Sequence, residues 1–310
     1  MEYRILGRTK LRVSALGFGA SPLGDVFRVT DPAEGVRSVH SAIDHGINFF
    51  DASPYYGAGV AEERLGRALS GKRTGVVLAT KCGRYGASSF DFSAVGVRSS
   101  VEQSLRRLQT DYIDLLQVHD VEFGKVEQIL TETLPTLQGL KESGVTRYIG
   151  ITGYSLRTLL RIAEAFPIDT LLSYCRYNLL VDDLDQSLTP FAVAHQVGLI
   201  NASPLHMGML TESGAPPWHP APLQVHEASR RALLVSARLG MNISEAALGF
   251  CLAHSYVSST LIGMCTQREV QQNILAAGTH YDASLYKALL ESVEPDRNVI
   301  WPSGLVDNLD

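Results

Sequence analysis

Eight short strand-like runs alternate with helix-like runs along this chain of 310 residues, and this alternation constrains its fold more than any other feature. The segments between the runs carry apolar residues at helical spacing. Neither a low-complexity linker nor a shift in composition interrupts the order, so we predict one domain over residues 1–310. The runs lie at Ala15–Gly19, Ile47–Asp51, Val76–Lys81, Ile113–His119, Tyr148–Thr152, Thr170–Tyr174, Gly198–Ala202 and Thr260–Gly263.

Helix boundaries between these runs support the alternation. Asp31 is a candidate N-cap followed by Pro32 in the first turn, and Gly46 marks the end of that helix. Ser93 is a second N-cap, and Gly144 ends a later helix. Eight strand-helix units in roughly 250 to 300 residues are typical of a closed (β/α)8 TIM barrel.

The rival architecture is an open Rossmann sheet with a dinucleotide site. Its fingerprint needs three glycines between a strand and a helix. The segment from Gly17 has Pro22 where the third glycine belongs, and Gly57-Ala58-Gly59 also lacks it. The sequence therefore favours the barrel.

Composition and charge exclude several classes of function. A formal net charge of -5 disfavours nucleic acid as a partner. The start, Met1-Glu2-Tyr3-Arg4, lacks the apolar stretch of a signal peptide, and no run of about 18 apolar residues is present, so we expect a cytoplasmic protein without a membrane partner. The four cysteines have no metal-ligand spacing, and we expect free thiols and no metal.

Four chemically distinct side chains follow or end three of the strand-like runs. Asp51 ends one run and Tyr56 follows it, Lys81 ends the next, and His119 ends a third. Because chemistry in parallel α/β barrels collects at the carboxyl ends of the strands, we predict that these residues form one proton-transfer site. Taken singly, each is more often a cap or a paired polar residue.

Their chemistry explains the combination. A free phenol titrates near about 10, and a neighbouring ammonium lowers that pKa. We therefore predict that Lys81 makes Tyr56 more acidic, that Asp51 holds Lys81 charged, and that His119 orients a substrate oxygen.

The ordered motifs resemble the aldo-keto reductase family across nearly the whole chain. They are Leu16-Gly17-Phe18-Gly19, Gly46 to Gly57, Ala79-Thr80-Lys81, Asp111 to Leu116 with His119, Tyr148 to Thr152, Ser203-Pro204-Leu205 and Asn273. Within the family the likeness is greatest to L-galactose dehydrogenases and to bacterial sugar and pyridoxal dehydrogenases. Gly19 to Gly24, Lys81 to Tyr85, His119 to Gly124, Trp218-His219-Pro220 and Trp301 to Gly304 carry it.

The resemblance implies a hairpin at the barrel floor, formed by the segment from Tyr3 to Val13, and a nicotinamide dinucleotide across the barrel mouth. It implies catalysis by Tyr56, Lys81, Asp51 and His119. The residues expected to bind the cofactor are Gly19, Asp51, Thr152, Ser173, Ser203, Leu205, Gly208, Gly263, Met264, Thr266, Glu269, Gln272 and Asn273.

The choice between NAD and NADP depends on Glu269. Members that prefer NADP use a basic side chain at this position, and a carboxylate would repel a 2'-phosphate while accepting hydrogen bonds from a ribose. We predict NAD, although Arg268 is one residue away.

Three positions depart from the family pattern. Many members hold the nicotinamide carboxamide with an asparagine and a glutamine where this chain has Gly153 and Tyr174, and Ala202 replaces an aromatic residue that stacks on the ring. The contacts to the nicotinamide therefore cannot be carried over.

The implied activity is oxidation of a free aldose such as L-galactose, L-fucose or D-arabinose to its lactone. The alternatives are a pyridoxal 4-dehydrogenase or another oxidoreductase for small aldehydes or alcohols, and a redox-sensing binding subunit. The substrate pocket is expected to contain Tyr56, His119, Arg84, Tyr85, Phe123, His206, Trp218 and Trp301.

Overall fold

Eight parallel strands form a closed barrel in the computed structural model, which describes residues 1–280 and 282–310. Neighbouring strands follow chain order, and the last strand pairs with the first. The predicted (β/α)8 barrel is confirmed. Its strands are β3 (Leu16–Gly19), β4 (Phe49–Asp51), β5 (Val77–Cys82), β6 (Ile113–Val118), β7 (Thr146–Gly153), β8 (Thr170–Tyr174), β9 (Gly198–Ala202) and β10 (Ser259–Gly263).

An antiparallel hairpin precedes the barrel, as expected. It consists of β1 (Tyr3–Ile5) and β2 (Arg12–Ser14). Leu6, Leu11 and Val13 are buried and pack against barrel side chains that include Leu115 and Ile200. The hairpin therefore fills the amino-terminal end of the barrel with apolar side chains.

Helices surround the barrel and cover its outer face. α1 begins at Pro32 with the Asp31 side chain accepting a hydrogen bond from Ala33 N–H, and Ser93 caps α3 in the same way, as predicted. A π-helical segment, Ile129–Thr133, joins α4 to α5. The helices are α1 (Pro32–Asp44), α2 (Val60–Ala68), α3 (Ala94–Leu108), α4 (Val126–Gln128), α5 (Leu134–Glu142), α6 (Leu156–Ala165), α7 (Asp183–His195), α8 (Leu223–Arg238), α9 (Ile243–Leu252), α10 (Gln267–Gly278) and α11 (Ala283–Val293).

Side-chain alternation along the strands determines what lies at the barrel mouth. Phe49, Ala79 and Leu115 belong to the apolar cluster inside the barrel. Two residues further along β4 and β5, Asp51 and Lys81 point to the same interior face. The apolar interior thus ends in a polar layer at the carboxyl ends of the strands. Within residues 1–280 and 282–310, no helix combines the length and the hydropathy required to cross a bilayer.

Candidate active site

Hydrogen bonds join Asp51, Lys81 and Tyr56 at the barrel mouth. Lys81 Nζ donates to Asp51 Oδ1, to the Ala52 carbonyl at 2.8 Å and to Tyr56 Oη at 3.3 Å. The His119 ring lies edge-on to the Tyr56 ring, with 5.7 Å between centroids. The structure therefore brings together all four residues that the sequence predicted to form one site.

Because Asp51 and Lys81 are both buried, the charged state of each depends on the other. Both residues are at most 3% exposed, and Gln117 Nε2 donates to the second Asp51 oxygen at 3.0 Å. Burial by itself lowers the pKa of Lys81, but Asp51 and Tyr56 together outweigh burial and leave that pKa raised. Lys81 is therefore an ammonium at neutral pH, and removing Asp51 would leave a buried charge without its counter-ion.

Lys81 lowers the pKa of Tyr56, as predicted, but burial acts in the opposite direction and has the larger effect. Burial raises the pKa of Tyr56 to about 12, and the Lys81 ammonium offsets only part of this rise. The sequence identified the neighbouring ammonium correctly but gave no measure of burial. Tyr56 is consequently a neutral phenol at pH 7, ready to donate a proton.

His119 is a neutral imidazole with a preferred tautomer. Burial lowers the pKa of His119 well below its ordinary value, and the charges of Lys81 and Arg84 lower it further. Ser53 Oγ accepts from Tyr55 N–H at 3.1 Å and lies 3.0 Å from His119 Nδ1. Because the Ser53 hydroxyl keeps its own hydrogen to donate, this pattern favours Nδ1 as acceptor and Nε2 as the protonated nitrogen.

A close approach of two loops holds Tyr56 in position. Gly57 has a φ of +64°, and a Cβ added there would lie 2.1 Å from the Gly24 carbonyl oxygen. Tyr56 N–H donates to the Ser53 carbonyl at 3.1 Å, and the Tyr56 carbonyl accepts from Ala61 N–H at the start of α2. A side chain at position 57 would displace the phenol.

Three adjacent strands end in small residues beside this cluster. β9 ends in Ala202, and β10 and β3 end in Gly263 and Gly19, which are paired in register. None of the three contributes a large side chain to the mouth.

Two carboxylates, those of Glu269 and Glu34, accept hydrogen bonds from backbone N–H groups at the amino terminus of α10. Glu269 forms a capping box with Thr266, accepting from Cys265 N–H at 2.8 Å and Thr266 N–H at 3.1 Å. Its other oxygen pairs with Arg28, and Glu34 accepts from Gln267 N–H at 2.8 Å. Glu269 is thus committed to the helix cap and to Arg28, a partner that the sequence did not indicate.

The remaining residues expected to bind the cofactor differ in their surroundings, and some of them bond to other parts of the protein. Thr152 Oγ1 accepts from Asp120 N–H at 3.1 Å, and Ser173 Oγ donates to the Gly153 carbonyl at 2.9 Å. The side chain of Met264 is fully buried in the core. Ser203 and Gly208 have positive φ, Leu205 occupies the N-cap position of the short helix His206–Gly208, and Gln272 and Asn273 lie on α10.

The expected pocket residues form two groups. The Arg84 guanidinium lies over the Tyr55 ring at 4.2 Å and the Phe123 ring at 5.1 Å, next to the central cluster. Trp301 stacks on Tyr154 at 4.4 Å and meets His206 edge-on.

Two further members of the expected set make other contacts. Tyr85 turns its hydroxyl back to accept from Gly83 N–H at 3.1 Å. Trp218 is half exposed and stacks on Phe27.

Sequence reasoning missed several polar residues of the site. Ser53 lies between Asp51 and Tyr56, and Gln117 lies two residues before His119 on the same strand, where alternation would have indicated it. Asp120 follows His119 and pairs with Arg84.

Comparison with known proteins agrees with this geometry. A model of the aldo/keto reductase family matches residues 15–294. The chain belongs to the aldo/keto reductase family. It is accordingly an oxidoreductase that uses a nicotinamide cofactor, as the resemblance implied.

Individual aldo/keto reductases are similar over almost the full chain. L-galactose dehydrogenase of Arabidopsis thaliana is 44% identical and covers 99% of each chain. D-threo-aldose 1-dehydrogenase of a Pseudomonas species is 28% identical over 91% of this chain and 94% of its own. A holo aldo-keto reductase of Bacillus halodurans superposes with a TM-score of 0.79 at 28% identity, covering 94% of this chain and 96% of its own.

Neither a disulfide bond nor a cluster of metal ligands is present within residues 1–280 and 282–310. All four cysteines are free and buried. In the part of the chain that the structure describes, no three His, Cys, Asp or Glu side chains are grouped to hold a metal ion.

Proposed function

We propose that this protein oxidises a free aldose of the L-galactose type at its anomeric carbon, with NAD as hydride acceptor and a lactone as product. The observation that carries the proposal is the hydrogen-bonded Asp51–Lys81–Tyr56 chain with the neutral His119 ring beside it at the barrel mouth. The 44% identity with L-galactose dehydrogenase of Arabidopsis thaliana over 99% of both chains supports the choice of sugar.

The residues present fit a nicotinamide dinucleotide. The strand ends at Gly19, Ala202 and Gly263 place no large side chain at the carboxyl-terminal end of the barrel, and the segments after β9 and β10 begin at the same end. When bound, the cofactor supplies the hydride acceptor. The two carboxylates at the start of α10, Glu34 and Glu269, disfavour the extra negative charge of a 2'-phosphate and support NAD.

In this proposal His119 and Tyr56 bind the reacting oxygen. His119 donates from Nε2 to the reacting oxygen. In oxidation the Tyr56 phenolate, which has first released its proton to solvent, accepts the hydroxyl proton as hydride leaves the same carbon, and in reduction the Tyr56 phenol donates this proton back. Lys81 stabilises the phenolate that forms at Tyr56, and Asp51 keeps Lys81 charged. Because the pKa of Tyr56 is raised to about 12, oxidation should accelerate as pH rises above 7, whereas reduction uses the phenol as it stands.

The test is the rate of NADH appearance with L-galactose, L-fucose, D-arabinose and pyridoxal measured side by side, and repeated with NADP. The proposal requires a sugar to have the highest kcat/KM and NAD to be preferred. A higher value for pyridoxal would replace the sugar with a pyridoxal substrate. Tight NAD binding without turnover of any of them would instead support a binding subunit.

A further inference from the structure

Three features distinguish Asp120 from an ordinary buried residue. Its backbone is left-handed, with a φ of +52°, which is uncommon for a residue other than glycine. Its carboxylate is almost completely buried directly after His119. Within residues 1–280 and 282–310, its Oδ1 has no hydrogen-bond partner. Strain and an unsatisfied buried oxygen together are typical of a residue that binds a ligand.

The other Asp120 oxygen connects this residue to the catalytic cluster. Oδ2 accepts from Arg84 Nη1 and lies 3.6 Å from His119 Nε2, the nitrogen that donates to the reacting oxygen in the proposed mechanism. The carboxylate therefore lies beside the position of the reacting oxygen.

Arg84 extends this polar pair toward the barrel mouth. Its side chain is 14% exposed, and aromatic rings on several sides hold it, with Tyr55 at 4.2 Å and Phe123 at 5.1 Å. The Tyr55 ring in turn lies 5.8 Å from the His119 ring. Arg84 Nη1 donates to Asp120 and Nε donates to the Gly86 carbonyl at 3.4 Å, so the planar guanidinium keeps the donors of Nη2 for a ligand.

If the Asp120–Arg84 ion pair only stabilised the fold, protein groups would be expected to donate hydrogen bonds to both Asp120 oxygens. Oδ1 of Asp120 is instead buried without a donor among the described residues, and the Asp120 carboxylate lies close enough to Glu122 to raise the pKa of that second carboxyl. A buried acceptor without a donor is costly. A substrate hydroxyl that donates to this oxygen would remove that cost.

We propose that Asp120 and Arg84 form a subsite for a hydroxyl on the carbon next to the reacting carbon, with Asp120 accepting from this hydroxyl and Arg84 donating to it. Oxygens on adjacent carbons lie about one hydrogen-bond length apart, and Asp120 Oδ2 lies 3.6 Å from His119 Nε2, so the two residues are close enough to contact neighbouring oxygens of one substrate. The inference rests on the proposed function and restricts the substrate class to α-hydroxylated carbonyl compounds and the corresponding sugars.

The experiment compares two aldehydes that differ in their hydroxyls, glyceraldehyde and propanal, each reduced with NADH. The wild-type protein should prefer glyceraldehyde by kcat/KM, and Asp120→Asn and Arg84→Gln should each lower the glyceraldehyde-to-propanal ratio at least tenfold. NADH affinity, followed by fluorescence titration, should stay within twofold of wild type in both variants. Arg147→Gln is the matched control, because Arg147 pairs with Asp114 at the amino-terminal half of the barrel, and it should leave the ratio unchanged.

Ratios within threefold of wild type in both variants would overturn the subsite, and so would a wild-type protein that does not prefer glyceraldehyde. If Asp120→Asn fails to fold, Arg84→Gln decides alone, since its side chain is partly exposed. The two proposals fail separately. A protein that oxidises no sugar but loses its glyceraldehyde preference on substitution contradicts the proposed function and supports the subsite.

Discussion

At the scale of single residues, burial decides the protonation states of the candidate site. The Lys81 ammonium lowers the pKa of Tyr56, as the sequence predicted, yet burial has the larger effect and raises that pKa to about 12. Residue types and their order predicted which groups would meet. Their solvent exposure depends on the whole fold, so the net direction of the pKa change could not be predicted from residue spacing.

Replacing the phenol tests its role in proton transfer. Tyr56→Phe removes the exchanging hydroxyl and little volume, so we expect kcat for sugar oxidation to fall roughly 10²- to 10⁴-fold. Lys81→Met should have a similar effect, because the phenolate loses its neighbouring charge. NAD affinity measured by fluorescence titration should be nearly unchanged for Tyr56→Phe. Turnover equal to wild type would remove Tyr56 from the mechanism.

Ser53 offers a test of the His119 tautomer. Ser53→Ala removes the donor to Nδ1, so the fraction of His119 with a proton on Nε2 should fall and kcat should decrease about tenfold, consistent with the loss of one hydrogen bond. ¹⁵N chemical shifts of His119 report the tautomer directly. Ser53→Thr, which keeps the hydroxyl, should restore both the shifts and the rate. Unchanged shifts in the alanine variant would show that Ser53 does not set the tautomer.

At the scale of elements, apolar runs with clear boundaries were predicted best. β8 and β9 have the predicted limits, Thr170–Tyr174 and Gly198–Ala202. β4 begins at Phe49 rather than at Ile47, because the Asn48 side chain bonds to Ser14 N–H and the Arg12 carbonyl and so fixes the hairpin. Side-chain hydrogen bonds between distant segments leave no periodic signal in the sequence.

At the start of α10, Glu269 caps the helix and, in the proposed function, its negative charge favours NAD over NADP. Glu269→Gln keeps an oxygen to accept from the capped N–H groups but removes the negative charge that pairs with Arg28. We expect the NADP-to-NAD ratio of kcat/KM to rise about tenfold, in line with the loss of one repulsive charge. The double variant Glu269→Gln with Arg28→Gln should lose most of this gain. A single variant with the wild-type ratio would mean that Glu269 does not face the 2' position.

At the scale of the whole molecule, the last segment of the chain returns across the barrel mouth. Trp301 stacks on Tyr154, and Asp310 pairs with the buried Arg176. Leu305 N–H and Asn308 Nδ2 both donate to the Glu122 carbonyl, at 2.9 Å each. These contacts join residues more than 130 positions apart, and no local pattern predicted them.

Glu122 lies beneath this segment as a buried carboxyl. Its Oε1 accepts from Tyr154 N–H at 2.9 Å, and its Oε2 has no partner in the described ranges 1–280 and 282–310. Burial, together with the nearby Asp120 carboxylate, raises the pKa of Glu122 to about 8. The folded protein therefore holds a proton on Glu122 at pH values where the unfolded chain has released it.

The sign of the resulting pH dependence follows from this difference. Between about pH 4.5 and 8 the folded state binds more protons than the unfolded state, so this carboxyl makes the free energy of unfolding fall as pH rises through that range. Glu122→Gln keeps the shape and the acceptor but has no proton to lose. We expect this variant to match wild type near pH 4.5 and to be more stable by on the order of 2 to 4 kcal/mol at pH 8. Urea unfolding at both pH values measures the difference, with the exposed Glu127→Gln as a control that should not change it. A variant no more stable than wild type at pH 8 would mean that Glu122 ionises in the folded protein at little cost.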